Sequence, residues 1–142
     1  DQLGGFTKDI DRVVLGGPMM GFASFDQSCG IIKGISGLLC FSEEENRDVE
    51  NPTCIRCGKC IQVCPMKLQP IHMYMYTLKK DYDAMQKFHV TDCFECGSCT
   101  YNCPGRLPLT PTFKMGKAML KAREAELRAK AEAEAAKKEA AN

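Results

Sequence analysis

The sequence lacks long hydrophobic runs, nucleotide-binding motifs and a strong net charge. No stretch approaches the roughly 18 consecutive apolar residues that a membrane-spanning helix requires, so we expect no spanning segment in this chain. Neither the glycine-rich phosphate-binding loop nor the dinucleotide-binding fingerprint is present. The formal net charge is only +1, and this balance gives no support to a nucleic-acid partner.

The chain also lacks a recognisable beginning. It starts at Asp1 without a methionine, and its first residues form neither a targeting pattern nor a capped element. We therefore expect a C-terminal piece of a longer polypeptide. A length of 142 residues allows only a modest apolar core. Bound metal is expected to supply part of the stability.

Cysteine, by contrast, is abundant: the chain has ten, and eight of them form two matched runs. The strings CIRCGKCIQVCP and CFECGSCTYNCP share the spacing C-x2-C-x2-C-x3-C-P. In iron–sulfur proteins with this spacing, three thiolates bind one 4Fe–4S cluster and the fourth ligates the cluster of the other run. A disulfide scaffold fits neither the spacing nor the absence of a signal peptide, so a reducing compartment is expected.

The spacing predicts two cross-tied clusters. The predicted ligand sets are Cys54, Cys57, Cys60 and Cys103 for cluster 1, and Cys93, Cys96, Cys99 and Cys64 for cluster 2. Because the eight thiolates converge only when both runs fold together, the metal-free protein is expected to lack stable structure over 54–104. Structural zinc is the alternative, but four-thiolate zinc sites usually use two separated C-x2-C pairs, which leaves half of each run redundant.

Glycine and proline occupy matching places in the two runs. Gly58 and Gly97 each follow a second cysteine, where glycine permits close backbone approach and free amides directed at the cluster sulfurs. Pro65 and Pro104 each follow a fourth cysteine and predict turns away from the clusters.

The other candidate ligands are weaker. Cys29 and Cys40 belong to neither run and are interpreted as small buried hydrophobic residues. His72 and His89 are interpreted as surface or internally satisfied side chains. His89 stands four residues before Cys93, so a hydrogen bond near that cluster is the alternative role.

Residues 1–41 are rich in glycine and contain short apolar runs at 13–15, 31–32 and 35–41. Such runs bounded by glycine predict strands and turns, hence a partial β module. The string GGPMMG at 16–21 matches no phosphate-binding motif and is interpreted as packing turns.

The composition changes at 42–52, which holds five acidic residues and one basic residue. This stretch predicts an acidic linker, or one short helix opened by Ser42 with Glu45 completing a capping box. We place the domain boundary here. An acidic docking face for a basic partner is the less favoured alternative.

The spacer at 65–92 decides the type of ferredoxin. Pro70 can open a helix whose apolar face, at i, i+3, i+4 and i+7 spacing, would be Ile71, Tyr74, Met75 and Leu78. Asp81 can cap a second helix. Small βαβ ferredoxins need strands beside each run, and the spacer does not alternate with period two. A helical two-cluster ferredoxin domain over 53–112 is therefore predicted.

Residues 113–142 are nearly all strong helix formers and predict a long C-terminal helix. Phe113, Leu120 and Leu127 repeat every seven residues, so the first turns are expected to pack and the end to project. A basic contact with a membrane or partner is the alternative for this tail. The predicted fold class is α+β: a partial β module, a helical ferredoxin domain and a long helix.

With these motifs placed, the chain resembles the C subunit of the Rnf complex, an ion-translocating ferredoxin:NAD oxidoreductase. The resemblance covers 12–120 and is carried by the strings GGPMMG, CIRCGKCIQVCPMKLQP and DCFECGSCTYNCPGRLPL. The eight cysteines match the family's ligand positions. Gly105 and Leu107 stand where the family more often has a small residue and a basic one, and neither puts a ligand in doubt.

The resemblance implies that 1–41 is the end of a β-rich connecting module. It also implies that FMN and NAD(H) bind an upstream region absent from this chain, so no residue here is assigned to them. The implied location is peripheral, on the cytoplasmic side of the cell membrane, with other subunits of the membrane complex as partners. Electron exchange is expected with flavin and with ferredoxin-side clusters.

The predicted function is an electron relay through two 4Fe–4S clusters, within an enzyme that is a ferredoxin:NAD oxidoreductase and ion translocase. Two alternatives stay open. One is the iron–sulfur subunit of another flavin-linked oxidoreductase, of the heterodisulfide reductase or glycolate oxidase type, which the GGPMMG flank disfavours. The other is a cluster-based redox sensor that docks a partner through the acidic linker or the tail.

Overall fold

The computed structural model describes residues 4–24, 26, 28, 30–45 and 49–140, with backbone alone at 45 and 136–140. In chain order the elements are β1 (Ile10–Leu15), β2 (Phe22–Ser24), β3 (Leu38–Ser42), a 3-10 helix (Glu43–Glu45), α1 (Lys59–Gln62), α2 (Pro70–Leu78), α3 (Tyr82–Lys87), a second 3-10 helix (Val90–Asp92), α4 (Ser98–Tyr101) and α5 (Leu109–Ala140). The predicted α+β class is confirmed. Within the described ranges, no helix combines the length and apolar character needed to cross a membrane.

The β module is a three-stranded antiparallel sheet in the order β2, β1, β3. The central strand β1 pairs on both sides, with Val13 opposite Ser24 on β2 and opposite Cys40 on β3. Val13 and Leu15 are its buried side chains. The buried apolar surface of β1 is therefore small and consists of these two side chains.

The strand predictions are confirmed at 13–15 and for most of 35–41, but the strand at Ile31 and Ile32 is wrong. These two side chains are 64% and 71% exposed and lie in the loop between β2 and β3. The third strand is β2 instead. Its three residues are too few to show a period-two pattern in the sequence.

The GGPMMG string forms the turn between β1 and β2, as predicted. Gly16 has φ 106°, and its amide donates to the Gly37 carbonyl oxygen at 2.8 Å. The Gly21 amide donates to the Gly17 carbonyl oxygen at 2.8 Å. A Cβ on Gly21 would lie 2.6 Å from that same oxygen. The turn therefore needs glycine at this position.

The acidic stretch begins directly at the sheet. Ser42 is the last residue of β3, and the 3-10 helix Glu43–Glu45 follows it. Residues 46–48 and the Glu45 side chain of the predicted capping box lie outside the described residues.

The predicted pair of helices between the cysteine runs is confirmed as α2 and α3. Pro70 lies in the first turn of α2, where its missing N–H leaves no hydrogen bond unmade. Asp81 caps α3, since its carboxylate accepts a hydrogen bond from the Ala84 amide at 3.0 Å.

The apolar face predicted for α2 is wrong in its second half. Met75 and Leu78 are 44% and 55% exposed, and it is Met73 and Thr77 that are fully buried. Thr77 is accommodated because its hydroxyl donates to the Met73 carbonyl oxygen at 2.8 Å. A Cβ on Gly116 of α5 would lie 2.9 Å from the Thr77 hydroxyl oxygen. The two helices therefore approach closely at this point.

α5 begins earlier than predicted, at Leu109, with Pro111 in its first turn, where proline is compatible with a helix. Leu109, Phe113 and Leu120 are buried, whereas Leu127 is 55% exposed. The predicted seven-residue packing therefore ends after Leu120. Every described side chain beyond Leu127 is exposed, which confirms the projecting end.

The helical region consists of two copies of one unit, 39 positions apart. Gly58 and Gly97 have φ 74° and 82° and begin the four-residue helices α1 and α4. Pro70 and Leu109 begin α2 and α5, which pack against each other. Both copies contribute to one core, whose buried apolar side chains are Met73, Met85, Val90, Cys99, Leu107, Leu109, Phe113 and Leu120.

Candidate functional site

Each cysteine run wraps around one short helix. In the first run two cysteines precede α1, one lies within it and one follows it: Cys54, Cys57, Cys60 and Cys64. The second run repeats this arrangement around α4 with Cys93, Cys96, Cys99 and Cys103. The left-handed backbone at Gly58 and Gly97 turns the chain into these helices. Each run therefore presents its first three thiols on one tight loop.

Backbone amides donate to three of the thiol sulfurs. Arg56 donates to Cys54 and Glu95 donates to Cys93, each at 3.4 Å. Arg56 and Glu95 have φ 54° and 62°, a left-handed conformation uncommon outside glycine. The amide of Leu68 donates to the fourth thiol of its run at 3.4 Å. The amides of Gly58 and Gly97 were predicted to point at the cluster sulfurs, which stays a prediction, and the bonds to these three thiols come from other residues.

Two thiols have pKa values that depend on a thiol of the opposite run. Burial raises the pKa of Cys60, and the charge of a Cys103 thiolate raises it further. Burial raises the pKa of Cys93 in the same way, with a smaller contribution from Cys64. Each pair consists of the fourth cysteine of one run and one of the first three cysteines of the other run. The pairs agree with the predicted ligand sets, which stay a prediction.

One cavity is lined by the four thiols predicted for cluster 2: Cys64, Cys93, Cys96 and Cys99. Its other walls are largely apolar and include Leu68, Met73 and Phe113. Within the described ranges, no three His, Cys, Asp or Glu side chains are grouped closely enough to hold a single metal ion. Soft thiolate donors in an apolar setting fit an iron–sulfur cluster.

Two threonines act on the buried thiol of the second run. Burial raises the pKa of Cys99, and hydrogen bonds to Thr110 and Thr100 lower it in part. The two hydroxyl oxygens are 2.8 Å apart, and the Thr110 amide donates to the Thr100 hydroxyl oxygen at 2.9 Å. Thiols with raised pKa keep their protons until metal displaces them, so cluster binding releases protons.

A cation reaches the second run from α5. The Lys117 ammonium donates to the Cys93 carbonyl oxygen and pairs with the Glu95 carboxylate at 2.8 Å. Sequence reasoning missed this residue. It is 24 positions from Cys93 in a helix that contains many lysines, so no local pattern distinguishes it.

The other cysteines and histidines have separate roles. Cys40 lies half-buried in β3, and Cys29 lies outside the described residues. His72 stacks on an aromatic ring with centroids 5.2 Å apart. His89 Nδ1 lies 3.2 Å from an oxygen of Asp92. These contacts agree with the predicted surface or satisfied roles.

The two departures from the family pattern have packing reasons. A Cβ on Gly105 would collide with the Thr53 carbonyl oxygen, so the end of the second run lies directly against the start of the first. Leu107 is 4% exposed and belongs to the core between the copies.

The β module contacts the second cysteine run at Gly97. A Cβ there would lie 2.7 Å from the Met19 carbonyl oxygen of the GGPMMG turn, whereas the space around Gly58 is open. Gly97→Ala is therefore expected to destabilise the protein by about 2–4 kcal/mol, from left-handed strain plus overpacking. Gly58→Ala, the matched control, incurs only the strain of about 1–2 kcal/mol. Denaturant unfolding measures both, and equal losses would contradict the Met19 contact.

The chain is similar in sequence to known proteins. The family model described as a 4Fe-4S dicluster domain matches residues 47–104. The C subunit of the Na(+)-translocating ferredoxin:NAD(+) oxidoreductase complex of Acetobacterium woodii is 38% identical over 92 residues, which cover 65% of this chain and 21% of that protein.

Two further relatives agree. The C subunit of the ion-translocating oxidoreductase complex of Rhodobacter capsulatus is 38% identical over 121 residues, 85% of this chain and 23% of that protein. The C subunit of the proton-translocating ferredoxin:NAD(+) oxidoreductase complex of Clostridium ljungdahlii is 37% identical over 93 residues, 65% of this chain and 20% of that protein. The chain spans about a fifth to a quarter of the length of these relatives.

Proposed function

Because the chain is homologous over most of its length to the C subunits of ion-translocating oxidoreductase complexes, we propose that it relays single electrons through two 4Fe–4S clusters inside such a complex. Residues 47–104 match a 4Fe-4S dicluster domain. The observation that carries the proposal is the pairing of thiols across the runs in one cavity, where Cys64 of the first run lies with Cys93, Cys96 and Cys99 of the second. Cross-ligation requires this pairing.

The residues around the second run fit a bound cluster. Cys93, Cys96 and Cys99 would be its ligands together with Cys64 of the first run. The Glu95 and Leu68 amides stabilise negative charge on the Cys93 and Cys64 sulfurs. The apolar side chains of Met73 and Phe113 keep water from the inner wall of the cavity. When bound, each cluster supplies one-electron redox chemistry. No side chain of this chain is assigned a bond-making step.

The first run would hold its cluster closer to solvent. Cys57 is exposed, and the neighbouring Ile55 is 64% exposed. The ligand set proposed here is the one expected from spacing, with Cys103 crossing from the second run. Because Cys64 and Cys103 each cross between runs, loss of either thiol would disturb the packing of both copies.

The activity of the whole complex is also part of this proposal. Two of the relatives are named as subunits of ferredoxin:NAD(+) oxidoreductase complexes that translocate sodium ions or protons. We place this chain in the same kind of membrane complex, peripherally on the cytoplasmic side. FMN and NAD(H) would bind the part of those relatives that this chain does not span. Its partners would be the other subunits.

Iron and acid-labile sulfide analysis, with electron paramagnetic resonance of the reduced protein, tests the proposal. We expect about eight irons and eight sulfides per chain, and the signals of two interacting one-electron centres. Colourless protein that contains zinc, or clearly fewer than about eight irons, would contradict it.

A sensor would behave differently from a relay. Reversible titration of the clusters with fast electron transfer to free flavin supports the relay. Loss of the clusters in air, accompanied by a change in affinity for a partner, would favour the sensor instead.

A further inference from the structure

Lys117 is bound to the loop that carries the first ligand of cluster 2. It lies on α5, and its side chain is only 27% exposed. The ammonium donates to the Cys93 carbonyl oxygen and lies 2.8 Å from Glu95 Oε1. The Glu95 side chain is itself only 24% exposed. A partly desolvated pair of this kind is screened less by solvent than a surface pair.

These contacts involve two residues of the loop, Cys93 and Glu95. Glu95 has φ 62°, a left-handed conformation that is uncommon for a residue with a side chain. Its amide donates to the Cys93 sulfur, while its carboxylate and the Cys93 carbonyl oxygen are both held by Lys117. Arg56 of the first run has the same left-handed backbone and the same amide–sulfur bond without such a lysine, so what Lys117 adds at the second run is a bridge between Cys93 and Glu95 and a positive charge.

The two charges of the pair act on the ligand in opposite directions. The Lys117 ammonium contacts the Cys93 carbonyl oxygen, and the Glu95 carboxylate with which it pairs belongs to a residue two positions after Cys93. Reduction of a cluster adds one negative charge, so a nearby cation favours the reduced form and a nearby anion opposes it. In the intact pair these two effects largely offset each other.

The first run has no such arrangement. The positions 39 residues earlier are Arg56 in place of Glu95 and Leu78 in place of Lys117. Arg56 keeps the left-handed backbone and the amide bond to sulfur. Leu78 is 55% exposed and carries no charge. The pair formed by Lys117 and Glu95 is therefore specific to the second copy of the repeat.

We propose that Lys117 is a positioning residue for cluster 2: it holds the Cys93–Glu95 loop and neutralises Glu95, so that the cluster accepts an electron at a higher potential than it would without this lysine. The proposal rests on the proposed function, because it requires a cluster at the second run. No proton transfer is involved, and the electron comes from the external reductant of the titration.

The test measures the reduced fraction of each cluster by electron paramagnetic resonance during a redox titration of the iron-loaded protein. Lys117→Met leaves Glu95 unpaired. We expect the ratio of reduced to oxidised cluster 2 to fall about tenfold at fixed ambient potential, equivalent to about 59 mV for one electron. Glu95→Gln leaves the lysine unpaired and is expected to raise the same ratio. The double variant should lie near the wild type.

Three further measurements separate charge from structure. Lys117→Arg keeps the cation and is expected to keep the wild-type potential. Lys121→Met removes an exposed lysine one turn further along α5 and should leave cluster 2 unchanged. The potential of cluster 1 should stay constant in every variant.

The two single variants, Lys117→Met and Glu95→Gln, are expected to shift the potential of cluster 2 in opposite directions, and this difference decides the test. A purely structural role predicts that both variants lower the potential or lose iron together. That result would overturn the proposal. So would an unshifted cluster 2 potential in Lys117→Met, or a shift in Lys121→Met equal to the shift in Lys117→Met. If Lys117→Met does not hold a cluster, Glu95→Gln decides alone, and an unchanged or lowered potential there would also overturn it. Wild-type protein without about eight irons would instead refute the two-cluster function itself.

Discussion

Removal of iron from the reduced protein with a chelator is expected to abolish the packed structure of residues 54–104. The helices α1 and α4 have four residues each, far below the length at which an isolated helix is stable in water. Metal binding contributes about 10 kcal/mol or more in small metal-dependent domains, as much as the total stability of about 5–15 kcal/mol of a typical domain. The metal-free state is therefore expected to be unfolded here.

The thiols themselves reinforce this expectation. Cys99 belongs to the buried core, and Cys54, Cys60, Cys93 and Cys103 pack against it. Cys93 and Cys99 line the cluster 2 cavity, so without a cluster their sulfur atoms lose packing contacts on that side.

Far-ultraviolet circular dichroism and amide hydrogen exchange measure the effect. We expect most helical signal to disappear, with a remainder from the alanine-rich end of α5, which consists of strong helix formers. Reconstitution with iron and sulfide should restore the spectrum. The control is the same chelator treatment without reductant. Native helix and native exchange protection in iron-free protein would show that the clusters are not needed for folding.

Cys64→Ala is expected to remove the cluster of the opposite run. If the ligand sets are cross-tied, this variant loses cluster 2, and its iron content falls from about eight to about four per chain. Cys93, Cys96 and Cys99 should then react with an alkylating reagent before the remaining cluster ligands Cys54, Cys57, Cys60 and Cys103 do. Cys103→Ala should give the mirror result, with early labelling of Cys54, Cys57 and Cys60.

Mass spectrometry of the alkylated peptides identifies which run has lost its cluster. Cys40→Ala is the matched control, because this cysteine lies in β3, outside both runs, and its removal should leave the iron content unchanged. Early labelling of Cys54, Cys57 and Cys60 in Cys64→Ala would mean that each run binds its own cluster without crossing.

The features that could be predicted from sequence are those specified by neighbouring residues. The ligand spacing, Pro70 at the start of α2, and the Asp81 cap each depend on positions a few residues apart. Such local patterns define element type and ligand identity before any tertiary contact forms.

The missed features depend on distant parts of the chain. Thr77 looks polar in sequence, yet it is buried because its hydroxyl bonds within its own helix and Gly116 leaves room for it. Ile31 and Ile32 look like a strand but find no partner in the described sheet. Lys117 acquires its role only when α5 packs beside the second run.

The projecting end of α5 has a practical use. From Leu120 to Ala140 the helix advances about 30 Å at 1.5 Å per residue, and its described side chains past Leu127 are all in solvent. An anchoring group attached near Ala135 would tether the protein to an electrode surface without touching either ligand loop. Current from such a film would report cluster potentials directly, free of the diffusion of soluble mediators.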